Sequence, residues 1–159
     1  YSYGNSDVAP YSEQFYVGGA NSIRAFTIRS LGPGSYHPAA DNKYAYIDQT
    51  GDIRLEANME YRFRIIQDLH GAVFMYAGNV WLLREDATRP GGMFQWKGLA
   101  DEIAVGTGAG LRYDLSFLVI RVDCGVALHL PYTTSRKGYY NIPKFKDGLG
   151  WHLAIGYPF

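Results

Sequence analysis

The sequence predicts an all-β chain whose antiparallel strands belong to a membrane-spanning β-barrel, and three observations lead to this prediction. Apolar and polar residues alternate strictly from Ile53 to Ile65, so this strand has one apolar and one polar face. The run exceeds the usual soluble strand of about 5–6 residues and matches the roughly 9–11 that a tilted strand needs to cross a bilayer. Long loops alternate with short turns, which is typical of outer-membrane barrels.

The composition agrees with a β-rich chain and excludes several other classes. Among the 159 residues are 14 Tyr and 19 Gly, whereas only 19% are charged; Tyr favours strands and Gly favours turns. Fifteen basic residues balance fifteen acidic ones, which excludes a strongly basic nucleic-acid binder. The single Cys124 excludes a disulfide framework. No stretch approaches the roughly 18 apolar residues of a transmembrane helix.

Four further segments show the two-residue period of a strand. The segment Gly71–Leu83 is apolar on both faces, and Ile103–Leu115 alternates apolar residues with glycines and charges. In Leu118–Tyr132 the even positions are apolar, and the final strand is predicted over Trp151–Phe159. Short turns lie at 67–70 and near 116, and long loops at 22–52, 84–102 and 133–148.

The apolar rows are predicted to face lipid and the polar rows to line a lumen. The alternative is a soluble lipocalin-like, ligand-binding barrel, which would turn the apolar rows inward. We prefer the membrane interpretation because of the strand length and because aromatic residues fall near the strand ends, as an aromatic girdle requires; these are Tyr61, Phe63, Tyr113, Tyr132, Tyr157 and Phe159. The row of eight apolar residues at the even positions of 118–132 would be an aggregation hazard in water.

Three segments resemble the C-terminal barrel of the BamA/TamA superfamily of outer-membrane assembly factors, also called the bacterial surface antigen family. The first has the pair Gly18–Gly19 followed by Ile23-Arg24-Ala25-Phe26, which is similar to a loop signature of the family; Ala25 stands where the family has Gly. The second is the alternating strand with Glu60 and the strand after it. The third is the glycine-rich stretch 106–131 with the chain end Gly156-Tyr157-Pro158-Phe159, which resembles the C-terminal signal of outer-membrane proteins.

The resemblance, which is greatest to TamA-like or TamL-like members, implies a place within a larger barrel. Residues 1–159 would form the end of strand 11, the long loop 6 and strands 12–16 of a sixteen-stranded barrel, without the first ten strands and the POTRA domains. It implies a factor in the outer membrane of a Gram-negative-type bacterium that inserts unfolded outer-membrane proteins. Its partners would be those clients, the bilayer and accessory lipoproteins, with no cofactor and no nucleic acid. The isolated segment is expected to close its barrel by oligomerising or by recruiting loop segments as extra strands.

The resemblance also implies a site built on Arg24. In the family the loop arginine reaches into the lumen and pairs with two acids; Glu60 matches the first, and Tyr76 occupies the usual place of the second. We expect a bidentate Arg24–Glu60 pair with Phe26 and Tyr76 beside the guanidinium. Further expected lumen residues are Phe74, Arg112, Asp114, Arg121 and Asp123. The last four could form a charge ladder, although plain lining of the lumen is preferred for them.

Glycines and the last strand complete the expected site. Gly106, Gly108 and Gly110 leave the lumen face bare, which makes room for an inserted loop. In the family the last strand borders a lateral seam at which a client strand can pair; here the seam and terminal signal would involve Trp151, Gly156, Tyr157 and Phe159. Alternatives are an ordinary closed barrel, a passive porin or a polypeptide-secretion channel.

An enzyme is not expected. The histidines lack metal-ligand spacing, and no nucleophile motif is present; they are His37, His70, His129 and His152. Cys124 lies on the lipid-facing parity of its strand, so it is expected to be an inert thiol.

Overall fold

The computed structural model describes residue 10, residues 13–38, residue 47 and residues 49–156. The expected end of strand 11 at residues 1–9 therefore lies outside the described part, as do Tyr157 and Phe159 of the expected terminal signal. No helix among the described residues is long and apolar enough to cross a membrane.

Five antiparallel strands form one sheet in chain order, each paired with its sequence neighbours. The strands are β1 (Ile53–Ile66), β2 (Leu69–Trp81), β3 (Ala104–Asp114), β4 (Val119–His129) and β5 (Leu149–Ile155). The short α1 (Leu99–Glu102) and a 3₁₀ turn (Phe145–Gly148) lie in the long connections. The predicted all-β, antiparallel fold class is confirmed.

Several predicted strand limits are wrong by a few residues. β2 starts two residues earlier than predicted because the turn from β1 contains only Gln67 and Asp68. β4 ends at His129 rather than Tyr132, because the Asn141 side chain takes the N–H and C=O of Leu130 and Pro131 has no N–H to donate. β5 spans Leu149–Ile155 instead of starting at Trp151, and it ends where Gly156 takes a φ of 103°.

The two faces of the sheet separate as the alternation predicts. Outward residues of β1 and β5 are well exposed, for example Met59 at 75% and Leu153 at 74%. The odd positions of β4 are buried, and among them are Arg121 and Asp123. Exposed Tyr61, Phe63 and Tyr113 lie at the short-turn end of the outward face, as residues of an aromatic girdle do.

The inward face is covered by the chain that precedes β1. Residues 17–31 lie across it and contribute Val17, Ile23, Phe26 and Leu31 to the buried core. Phe74, Tyr76, Ala104 and Ala127 of the strands and Ile142 of the last loop complete much of that cluster. Since both the charged side chains and this core lie on one side, the sheet presents its apolar outer face to the surroundings and its polar face to the inserted loop.

Candidate functional site

The loop tip (residues 17–29) is a compact turn on the inward face of the sheet. Backbone bonds close it: Arg29 N–H donates to Val17 O, Gly19 N–H to Phe26 O, and Phe26 N–H to Ile23 O. Gly18 has a φ of 100°, and a Cβ there would come within 2.1 Å of Thr27 O. The glycine pair is therefore required by the turn that presents residues 23–26 to the strands.

Arg24 lies at the centre of the site, with a side chain that is 0% exposed. Its Nη2 donates to Glu60 Oε2 of β1 at 2.8 Å, and its Nη1 lies 3.0 Å from Asp123 Oδ2 of β4. Arg24 Nη1 and Asp123 Oδ2 form an ion pair. Their geometry does not meet the criteria for a hydrogen bond. A buried arginine between two acids ties the loop tip to strands on both sides of it.

The expected bidentate pair with Glu60 is wrong, because the two terminal nitrogens go to different acids. The second acid that pairs with Arg24 is Asp123, which was expected only in a charge ladder or as lining of the lumen. Tyr76 occupies the sequence position at which the family usually has the second acid. Gly110 explains the reach of Asp123: a Cβ on Gly110 would lie 2.0 Å from Asp123 Oδ1. The bare β3 position leaves room for that carboxylate beside the guanidinium.

Two aromatic rings lie over the Arg24 guanidinium. Its Cζ is 4.7 Å from the centroid of Phe74 and 5.1 Å from that of Tyr76, both on β2. Phe74 thus occupies the place expected for Phe26, which packs in the buried core near Gly106 instead. Cation–π contact in this buried site adds to the attraction of the acids.

Arg112 and Arg121 extend the charged cluster. Arg112 Nη2 lies 2.9 Å from Glu60 Oε1, and Arg121 Nε lies 3.2 Å from Asp123 Oδ2. Arg121 Nη2 also donates to Ala20 O and Asn21 Oδ1 of the loop tip. Arg121 therefore contacts the loop directly, and Arg112 contacts the same two acids as Arg24, so both go beyond the lining role preferred from the sequence.

Asp114 lies at the end of β3, in the tight turn that leads to β4. Its carboxylate Oδ1 accepts the Ser116 N–H, and its own N–H donates to Asp68 O. Ser116 has a φ of 69°, so the carboxylate stabilises the tight β3–β4 turn. The lumen parity of Asp114 was correct, but its position at the strand end places it in the turn.

Glycines on three strands bring the loop backbone close to the sheet. A Cβ on Gly106 would meet Ala25 Cβ at 2.4 Å, and one on Gly125 would meet Arg24 O at 2.7 Å. Gly108 instead leaves room for the Phe74 ring, at 2.4 Å from such a Cβ. The expectation of room for an inserted loop is met directly at Gly106 and indirectly at Gly108 and Gly110.

β5 contacts the loop tip through His152, whose Nε2 lies 2.5 Å from Arg24 O. Trp151 faces outward with 68% exposure, and Gly156 follows the strand. Sequence reasoning missed His152, Gly125, Gly150 and Ser22, whose hydroxyl donates to Glu56 Oε2. His152, Gly125 and Gly150 occupy inward positions of their strands, and this alternation was the sequence feature that could have identified them.

The described ranges contain no group of three or more His, Cys, Asp or Glu side chains placed to hold a metal ion. The chemistry of the cluster is charge pairing: two acids facing three buried arginines, with Arg62 at 40% exposure beside Glu60. Such an arrangement can hold a polar loop inside a barrel, because each buried charge has an opposite partner.

The chain was compared with models of known protein families. The model of the Omp85 superfamily domain matches residues 1–159.

Proposed function

Since the chain belongs to the Omp85 superfamily, a β-barrel family of protein insertion and secretion at the outer membrane of Gram-negative bacteria, we propose that it is the C-terminal barrel part of an outer-membrane protein insertase. The observation that supports this most is the buried Arg24 between Glu60 and Asp123. A passive pore would share the strands but need not place Arg24 against Glu60.

The proposed role of the cluster is to keep the loop tip inside the barrel. Withdrawing the loop would expose three buried arginines and two acids to a different environment, and separating a buried ion pair costs about 3–5 kcal/mol. The loop tip therefore has a defined inserted position. In that position it supports the inward face of β3, β4 and β5 by close backbone contact at the glycines.

The proposed site of client entry is the outer edge of β5. A client strand cannot enter lipid while its backbone N–H and C=O groups are unsatisfied. Within the described residues β5 pairs with β4 alone, and it has only seven residues. In a sixteen-stranded barrel the other edge of β5 would border the first strand, and if that pairing is weak a client strand can pair there by β-augmentation; no nucleotide or cofactor is needed for that step.

The wider setting follows as part of the same proposal. Residues 1–159 would supply the end of strand 11, loop 6 and strands 12–16 of a sixteen-stranded barrel in the outer membrane. Unfolded outer-membrane proteins would be the clients, with accessory lipoproteins as partners. The TamA-like or TamL-like subdivision stays a prediction.

The test is reconstitution of the full-length protein in liposomes with an urea-unfolded outer-membrane protein as the client. Client folding is followed by its heat-dependent shift on gels, and ion conductance is measured on the same vesicles. We expect client folding at least about tenfold faster than in empty liposomes, a barrier reduction of about 1.4 kcal/mol. Conductance without faster client folding would overturn the insertase proposal and favour the secretion channel.

A further inference from the structure

The main-chain carbonyl of Arg24 has a partner of its own, separate from the acids that bind the guanidinium. His152 Nε2 on β5 lies 2.5 Å from Arg24 O. A carbonyl oxygen can only accept, so Nε2 carries the proton and donates it. Arg24 is therefore held at its side chain by β1 and β4 and at its backbone by β5.

The β4–β5 pair is shaped around this contact. Asp123 and His152 are directly opposed across the two strands, and the next inward pair is Gly125 opposite Gly150. A Cβ on Gly125 would lie 2.7 Å from Arg24 O and one on Gly150 would lie 3.3 Å from it. The backbone of Arg24 thus lies over a pair of bare positions, with His152 and Asp123 beside it.

The strand contacts described for β5 are with β4. Among the described residues its ladder partners are all on β4, from Ile120–Ile155 to Val126–Leu149. Its outward side chains Trp151, Leu153 and Ile155 are 68–76% exposed. A single buried hydrogen bond to the loop can therefore make a large relative difference to how firmly this short strand is paired.

We propose that His152 is a positioning residue that couples the inserted loop tip to the pairing of β5. This rests on the proposed function, in which β5 is the strand that a client joins. With the loop tip inserted, the His152–Arg24 bond stabilises β5 against β4; when β5 moves away, the loop tip loses a backbone contact. Coupling of this kind is reciprocal, so a client that displaces β5 also weakens loop insertion.

The experiment measures amide hydrogen exchange of β5 by mass spectrometry in the full-length protein in detergent micelles. Four proteins are compared: the wild type, Arg24→Ala, His152→Ala and the double variant. We expect Arg24→Ala to speed exchange in β5 by at least about fivefold, the lower end of typical coupling between sites. In the His152→Ala background the same change should have no further effect on β5.

Two more variants separate coupling from loss of structure. His152→Gln places an amide N–H at a similar reach and should restore protection of β5 toward that of the wild type. His70→Ala removes another inward histidine, on β2, opposite Arg64 and Arg112, and should leave β5 unchanged. Equal, additive effects of Arg24→Ala in both backgrounds would overturn the proposal, as would a lack of rescue by Gln.

Client folding in liposomes distinguishes this failure from failure of the proposed function. If β5 exchange is coupled through His152 but no variant changes client folding, the coupling stands and the insertase role of the site fails. If Arg24→Ala slows client folding while β5 exchange shows no dependence on His152, the insertase proposal stands and the coupling through His152 is wrong.

Discussion

The Cβ of Ala25 fills the space directly above Gly106, where an added Cβ would lie only 2.4 Å away. The other neighbours of such a Cβ, Val126 O at 3.4 Å and Phe26 Cε2 at 3.7 Å, are at ordinary contact distance. The loop tip and β3 are therefore complementary in shape, because the methyl group of Ala25 packs where Gly106 has no side chain.

This relationship predicts a reciprocal rescue. Gly106→Ala should lower stability by about 1–3 kcal/mol through overpacking and push the loop tip outward. Adding Ala25→Gly should recover most of that loss, because it removes the one atom in conflict. Urea unfolding of the two single variants and the double variant in micelles measures the coupling; additive losses would contradict the fit.

Gly125→Ala supplies the matched comparison. The added Cβ would meet backbone atoms, namely Arg24 O at 2.7 Å and Ala25 N and Cα at 2.9 Å. Ala25→Gly leaves all of these atoms in place, so it should not rescue Gly125→Ala. Recovery of stability in that double variant would show that the loop backbone does not lie where the structure has it.

The two acids should differ in importance. Asp123 is 0% exposed and lies within 4 Å of Arg24, Arg112 and Arg121, whereas Glu60 is 8% exposed and also contacts the half-exposed Arg62. Asp123→Asn should therefore destabilise by about 3–5 kcal/mol, and Glu60→Gln by less.

The urea midpoint measures both changes, with Asp68→Asn in the exposed β1–β2 turn as the control. A larger loss for Glu60→Gln than for Asp123→Asn would contradict the central position of Asp123.

A fourth prediction concerns pH and the outer loops. Glu102 Oε2 of α1 accepts the indole N–H of the buried Trp81 at 2.7 Å, and burial, with a smaller effect of Asp101, raises the pKa of Glu102 above its ordinary 4.5. A raised pKa in the folded state means that the contribution of Glu102 to stability is fully present below pH 4.5 and is lost as pH rises through the higher value.

Glu102→Gln keeps an oxygen for Trp81 and removes the charge, so it should flatten this pH dependence and raise stability at pH 7. Unfolding measured from pH 4 to 8 tests it, with Glu85→Gln on the same loop as the control. A variant that keeps the wild-type pH slope would show that Glu102 is not its cause.

The fold was predictable because the two-residue period directly indicates which side chains share one face of the sheet. Strand ends were less predictable: β4 ends early because Asn141, eleven residues from Leu130, replaces ladder bonds, and sequence spacing does not reveal such contacts. The Arg24–Glu60 pairing followed from the family resemblance and strand parity.

The role of Asp123 depends on register. Asp123 lies opposite Gly110, and only that alignment shows that its carboxylate has room to reach Arg24. His152 and the Gly125–Gly150 pair had the correct parity, but nothing in the sequence indicated which segment of the loop would lie over them.

In the proposed mechanism Arg24 fastens the loop tip in the barrel, and client insertion requires this contact. The most direct measurement is the rate of client folding in liposomes that carry the full-length Arg24→Ala protein, with Arg64→Ala, an exposed arginine of the inward row of β1, as the control. We expect Arg24→Ala to slow client folding by at least about tenfold, or about 1.4 kcal/mol, and Arg64→Ala to leave it unchanged. Equal rates for Arg24→Ala and the wild type would contradict the account.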